Sequence, residues 1–173
     1  MKFIKAISLA TFAFAGIGEC QPSQTSWPCL AAVKAMASTL RGEATDFNKE
    51  TFPNSANELA GSVATCGEIL GRSAELSEED IGAFEDQMVG IKREIVSLQD
   101  PLKGSKGSVE TAGACAIVNK SLYGILDAFF RVIPVIDTKI GSSAVVTTEE
   151  ILKLLSDSDS EFDEAYCKNA GTQ

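Results

Sequence analysis

The sequence lacks histidine altogether, and this absence removes the side chain most often used in acid–base and metal chemistry. With a histidine count of 0, Ser-His-Asp catalysis, Cys-His catalysis and imidazole metal ligands are all excluded. The chain also has no glycine-rich phosphate loop and no nucleotide fingerprint. Its cysteines form no C-x-x-C pair, which disfavours a zinc site. We therefore predict no catalytic residue, no metal and no cofactor.

Positive charge is scarce. Lys and Arg total 15 against 24 Asp and Glu, which gives a net charge of -9. Such a chain repels phosphate backbones and anionic membranes, so nucleic acid is not expected as a partner. The partners that fit are a lipid, an apolar surface, or a cell-wall or host component that recognises an acidic surface.

The sequence has one extended apolar run outside the amphipathic segments, and it lies at the beginning. Lys2 and Lys5 flank the start of the run Ala6–Ala15, whose last three residues have the small-x-small pattern of a cleavage site. We predict a signal peptide over residues 1–18, with cleavage between 15 and 20. The mature chain is then secreted, to the cell wall or beyond. The run is too short to span a bilayer, so no membrane span is predicted.

Apolar residues recur at helical spacing in the rest of the chain, without strand-like alternation of useful length. In the segment Ser77–Gln99 they lie three or four residues apart and form one stripe: Ile81, Phe84, Met88, Ile91, Ile95 and Leu98. Ser77 and Asp80 are spaced as a capping box at its start. Similar stripes predict helices over Pro28–Lys49, Ser55–Ser73 and Ser108–Ile133.

Breakers between these stripes complete the predicted architecture. Proline and glycine predict a turn between residues 100 and 107, and Pro134 is expected to kink or end its helix. Two short helices are predicted over Val135–Ile140 and Thr147–Leu155. The expected fold is all-α: a disulfide-stapled antiparallel bundle of four to six helices, forming one domain over residues 28–168.

Four cysteines of a secreted chain predict two disulfides, since the compartment is oxidising. At a rise of about 1.5 Å per residue, Cys66 and Cys115 fall midway along their predicted helices. Cys29 begins the first helix, near the level to which the segment around Cys167 could return. We therefore prefer the pairs Cys66–Cys115 and Cys29–Cys167, while spacing alone leaves other connectivities open. Cys20 leaves with the signal peptide or remains as an extra thiol.

The fourth predicted helix is apolar over more than one stripe, which places it at the centre of the bundle. With the stripe of the third helix it forms either an ordinary core or the lining of a cavity for an acyl chain. The candidate cavity residues are Ile81, Phe84, Met88, Ile91, Leu122, Ile125, Leu126, Phe129, Phe130 and Ile133. The sequon at residues 119–121 makes Asn119 a candidate glycosylation site.

The order of these features resembles the fungal hydrophobic surface-binding protein A family, which includes cell-wall galactomannoproteins. The segment Ala74–Asp80 opens an amphipathic helix, a Lys/Gly turn follows, and an apolar helix ends near Phe130 to Pro134. The resemblance runs from about Leu30 to Ile140. It implies a secreted, non-enzymatic helical domain that adsorbs to apolar surfaces or binds lipids such as fatty acids. The spaced cysteines and acidic C-terminal segment depart from that pattern. They suit an alternative, a secreted effector-like protein that engages a host or cell-wall component without a lipid ligand.

Overall fold

A computed structural model describes residues 27–170, which form five α-helices and no strand. They are α1 (Pro28–Thr45), α2 (Phe52–Arg72), α3 (Glu78–Thr111), α4 (Cys115–Lys139) and α5 (Ser142–Ser160). The predicted all-α fold with two disulfides is confirmed. Within the described range, no helix is long and apolar enough to cross a membrane. The predicted signal peptide and Cys20 lie outside the described residues.

The five helices close a ring in the order α1, α2, α4, α5, α3. Each helix packs against its two neighbours in this order, whereas α3 and α4 make only slight contact. Contacts that advance together along two helices show that α1, α3 and α5 run in one direction and that α2 and α4 run parallel to each other. These contacts are Trp27 with Asp80, Arg41 with Glu94, Lys92 with Glu150, Lys103 with Glu161, and Val132 and Val135 beside Gly67 and Gly71. The Cys29–Cys66 bond joins the start of α1 to the second half of α2, and the bond of Asn119 to Asp159 joins the start of α4 to the end of α5, so the two sets run in opposite directions. Consecutive helices are therefore antiparallel, as predicted.

The capping box predicted at the start of α3 is present. The Ser77 hydroxyl accepts a hydrogen bond from the Asp80 backbone N–H at 3.1 Å, and the Asp80 carboxylate accepts one from the Ser77 backbone N–H at 3.2 Å. The Ser77 hydroxyl also donates to this carboxylate, and these bonds hold the pKa of Asp80 below its ordinary value. The first turn of α3 is thereby satisfied where an uncapped helix would leave N–H groups unpaired.

Both prolines predicted to interrupt helices lie inside them, which corrects several predicted boundaries. Helix α3 continues through Pro101 because Leu102 and Val109 extend its buried stripe. Helix α4 likewise continues through Pro134, and the predicted short helix Val135–Ile140 is its last turn. An interior proline costs about 3 kcal/mol, and burial of the large side chains that follow offsets this amount.

Helix α5 is longer than predicted, because the chain reverses in one step after α4. Gly141 has a φ of 116°, a conformation that a side chain would strain. This turn lets α5 begin at Ser142 and not at Thr147, and the helix runs on to Ser160.

The predicted disulfide pairing is wrong: Cys29 bonds to Cys66, and Cys115 bonds to Cys167. Because α2 begins at Phe52, its return along α1 brings Cys66 level with Cys29, with a Cα–Cα distance of 5.1 Å. Residues 108–111 belong to α3, so Cys115 opens α4 at the end of the bundle. The C-terminal segment returns to that end and places Cys167 within 5.8 Å, Cα to Cα.

Candidate functional site

An apolar void lies where α1, α2, α3 and α4 meet, in the half of the ring that holds the Cys29–Cys66 disulfide. None of its lining residues is charged and none comes from α5: they are Leu30, Val33, Val63, Cys66, Gly67, Leu70, Phe84, Met88, Ile91, Phe129, Val132 and Ile136. The volume open to the centre of a water-sized sphere is about 20 Å³. That is space for about one water molecule, which this lining would not hydrogen-bond.

Four of the predicted cavity residues line this void: Phe84, Met88, Ile91 and Phe129. Ile81 and Leu126 are partly buried and pack against the core. Leu122 and Ile125 are fully buried, but they lie nearer the start of α4, in a part of the core that the void does not reach. Ligand contact by any of these residues stays a prediction.

Phe130 and Ile133 do not line the void, and ligand contact by either residue stays a prediction. Phe130 is 63% exposed, and Ile133 is half-buried on the flank of α4. Neighbouring residues of a helix point about 100° apart, so Phe129 and Phe130 cannot both face the centre. The face of α4 that reaches the void consists of Phe129, Val132 and Ile136.

Helices α3 and α4 make only slight direct contact and face each other across the void. The missed part of the lining lies on α1 and α2, whose stripes include Val33, Val63 and Leu70. Gly67 is a further missed residue: a Cβ there would lie 2.4 Å from Cγ1 of Val132. Because real Cβ atoms do not approach so closely, this glycine permits the packing of α4 on α2.

Trp27 covers the Phe84 side of the void. Its ring meets the Phe84 ring edge-on, with centroids 5.4 Å apart and planes at 88°. The indole Nε1 donates a hydrogen bond to the Asp80 carbonyl at 3.0 Å, which ties the start of α1 to the start of α3. The chain has 1 Trp, so its fluorescence reports on a residue that touches the void lining.

A polar contact lies at the same end of the ring, beyond the void. The Lys139 ammonium, at the end of α4, donates a hydrogen bond to the Ser73 carbonyl at 2.6 Å. Ser73 follows the last residue of α2, and its hydroxyl donates to the Leu70 carbonyl at 2.6 Å. Both Lys139 and Ser73 are half-buried.

The sequon residue Asn119 is engaged with α5. Its side-chain Nδ2 donates to the Asp159 carbonyl at 3.2 Å and to the Asp159 carboxylate at 2.9 Å. Burial, and next the nearby charge of Asp163, raise the pKa of Asp159. A glycan on Asn119 would replace one of the two N–H groups that make these bonds. Glycosylation there stays a prediction, and the folded geometry disfavours it.

Solved structures share this fold at low sequence identity, while no family model and no curated protein matches the chain. AfMp4p in complex with palmitic acid is 15% identical with a TM-score of 0.69, covering 80% of this chain and 95% of that one. Ligand-binding domain 1 of the Penicillium marneffei MP1 protein, complexed with arachidonic acids, is 15% identical with a TM-score of 0.68, covering 80% and 94%. Domain 2 of that protein, with multiple arachidonic acids, is 14% identical with a TM-score of 0.68, covering 84% and 94%. The chain therefore has the helical fold of these fungal ligand-binding domains.

Proposed function

We propose that the protein is a secreted, non-enzymatic binder of a fatty-acid-like lipid, held between α1, α2, α3 and α4 at the apolar void. The observation that carries this proposal is the lining, which is apolar throughout and lies between four of the five helices. Domains with the same fold have been solved with palmitic and arachidonic acids. An uncharged central lining suits an acyl chain, because burial of apolar surface drives such binding.

Binding requires the void to enlarge. Its volume is about 20 Å³, whereas pockets for small organic ligands typically measure about 300–1,000 Å³. Met88 is unbranched and can change its rotamers at little cost, which makes it the most adaptable lining residue.

Helix α4 is the element best placed to move. Ion pairs fix α3 to both neighbours: Arg41–Glu94 to α1, and Lys92–Glu150 and Lys103–Glu161 to α5. Within the described range, neither α2 nor α4 makes an ion pair with another helix, and of these two only α4 has a proline in its interior. Its interior Pro134 lacks the N–H of a normal helical hydrogen bond, and the lining residue Ile136 lies just beyond it. We place the enlargement at this half of α4.

The surroundings of the protein follow from the same proposal. Two disulfides suit an oxidising compartment, which supports the predicted signal peptide and a place outside the cell or in the cell wall. We propose that residues 28–168 act as one domain related to the hydrophobic surface-binding protein A and galactomannoprotein group. Apolar surfaces are then a second target, reached by the same lipid-binding region.

Titration of delipidated protein with palmitic acid, followed by Trp27 fluorescence, tests this function. We expect a saturable change, because Trp27 rests on the lining residue Phe84. Mass spectrometry of protein purified from its source should also detect a bound lipid. A flat titration together with no co-purified lipid would overturn the proposal and favour an interaction protein that acts through its acidic surface.

Adjacent residues of α4 provide a matched control. Phe129→Asp should abolish binding, because it puts a carboxylate into the lining, whereas Phe130→Asp changes a side chain that is 63% exposed and should leave binding intact. Circular dichroism checks that both variants fold. Should Phe129→Asp unfold, Val63→Phe replaces it, since it fills the void with apolar volume and blocks the ligand without burying charge.

A further inference from the structure

The face of α4 that lines the void ends in a cation. Phe129, Val132 and Ile136 follow one another at steps of three and four residues, and Lys139 is the next residue of the same series. Residues spaced in this way share one face of a helix. Lys139 therefore continues the lining, one turn beyond its last apolar residue.

Helix α2 shows the same change from apolar to polar at the same level. Its lining residues Val63, Cys66 and Leu70 are also spaced by three and four, and Ser73 is next in the series. The two polar positions meet through the Lys139 ammonium and the Ser73 carbonyl, 2.6 Å apart. The void thus has a defined polar end between the ends of α2 and α4.

Within the described part of the chain, no acid forms a salt bridge with Lys139. Among residues 27–170, the salt bridges involve six other cations, and the one hydrogen bond of Lys139 goes to a neutral carbonyl. A carboxylate would accept a shorter and stronger bond from this ammonium than a carbonyl does. An unpaired and half-buried lysine beside an apolar lining can accept the anionic group of a ligand, although the chain as a whole carries a net charge of -9.

We propose that Lys139 binds the ionised carboxylate of the acyl ligand, with the alkyl chain lying between the lining residues of α2 and α4. This inference rests on the proposed function and specifies its ligand class as free acids, in preference to alcohols or esters. In the bound state, the ammonium exchanges the Ser73 carbonyl for a ligand oxygen. Lys139 then sets the orientation of the ligand, with its head at the end of the ring that carries Trp27.

The test compares dodecanoic acid with dodecanol, which have equal chain length and differ in headgroup charge. The wild type should bind the acid about tenfold more tightly or better, as expected for a hydrogen bond to a charged partner. Lys139→Met should remove this preference by weakening acid binding while leaving alcohol binding unchanged. Lys139→Arg should retain the preference, because it keeps the charge.

Lys34→Met is the matched control for loss of one positive charge. Lys34 is exposed in the same half of the ring and packs over Gly90, outside the lining. The Lys34→Met variant should bind both ligands like the wild type. An acid preference that depends on Lys34, or equal weakening of acid and alcohol by Lys139→Met, would overturn the headgroup assignment.

Even if Lys139→Met fails to fold, the affinities of the wild type for the acid and the alcohol can overturn the headgroup assignment. Equal affinity of the wild type for acid and alcohol would overturn the role of Lys139 while leaving lipid binding itself established. Failure of the wild type to bind either ligand would overturn the proposed function instead. The two failures are therefore distinguishable in one set of titrations.

Discussion

The two halves of the ring are built by the same helices but are filled differently at their centres. In the void half, which contains the Cys29–Cys66 bond, four helices surround about 20 Å³ of space and α5 contributes no lining residue. In the packed half, which contains the Cys115–Cys167 bond, α5 adds the fully buried Leu155. The difference indicates that the centre closes where all five helices supply large side chains, and stays open where the buried residues of α5 are the small Ala144 and Thr148.

The halves also differ in the polar contact that α4 makes at each end. In the void half it presents a cation, Lys139, to the Ser73 carbonyl. In the packed half it presents a neutral amide, Asn119, to Asp159. The first contact leaves a positive charge available beside the void, whereas the second satisfies an acid beside a filled core. Side-chain packing should therefore contribute more to stability in the packed half, and ligand binding should depend on the void half.

Removal of one disulfide at a time should give the largest effects. The bonds close loops with sequence separations of 37 and 52 residues, and a loop of either length corresponds to about 4 kcal/mol of unfolding free energy. Double Cys→Ala variants should thus lose similar stability in denaturant titrations. Only loss of Cys29–Cys66 should change lipid affinity, because Cys66 lines the void. An equal change in affinity after loss of Cys115–Cys167 would show that the halves do not act separately.

Truncation of one apolar residue of α4 in each half should give the next effect. Leu122→Ala in the packed half should cost about 2–5 kcal/mol, since the filled core leaves a cavity behind. Val132→Ala should cost about 1 kcal/mol, because a smaller side chain is removed at the edge of an existing void. Thermal and denaturant unfolding measure both values, and lipid affinity should rise only for Val132→Ala. Equal destabilisation by the two variants would contradict the difference in packing.

Most of the fold was predictable from the sequence because each helix carries a clear apolar stripe. The capping box at Ser77 fixed the start of α3, where local hydrogen bonds decide the boundary. The boundaries predicted at Pro101 and Pro134 were wrong, because burial of apolar side chains later in each helix outweighs the low helix propensity of proline. The wrong boundary at Pro101 placed Cys115 midway along a helix, and the start of α2 at Phe52, earlier than the predicted Ser55, displaced Cys66, so the disulfide pairing was wrong.

The site was less predictable, because it depends on which helices face each other. A stripe shows that a helix buries one face, but not which partner covers it, so α3 was paired with α4 instead of with its ring neighbours. The choice between Phe129 and Phe130 likewise needs the rotation of α4 about its axis. From the sequence, Gly67 could be recognised only as a weak helix former. Its role in the structure is to leave space for the Val132 side chain.

The contact between Gly67 and Val132 provides a smaller and more local test. Gly67→Ala places a Cβ 2.4 Å from Cγ1 of Val132, and overpacking of this kind costs about 1–3 kcal/mol. The higher helix propensity of alanine offsets about 1 kcal/mol of this cost. The free energy of unfolding of the single variant should therefore fall by roughly 1 kcal/mol. In a Val132→Ala background the loss should disappear, because Cγ1 is gone. A double-mutant cycle of unfolding free energies measures this coupling, and additive effects would contradict the close approach of α2 and α4.

The smallest effect should come from Asp159, the acid of the packed half. Its pKa is raised in the folded protein by burial and by Asp163, above the ordinary value of 3.8. At pH values between 3.8 and the raised pKa, Asp159 is protonated in more native molecules than unfolded ones, so its contribution to stability falls as pH rises through that window.

The Asp159→Asn variant removes the cost of burying the charged carboxylate and keeps an oxygen that can accept a hydrogen bond from Asn119. The variant should match the wild type below the window and be more stable at neutral pH, by less than about 0.5 kcal/mol because the side chain is partly solvated. Denaturant titrations at both pH values measure the difference, and destabilisation at neutral pH would mean that the charged form is favoured by contacts with α4.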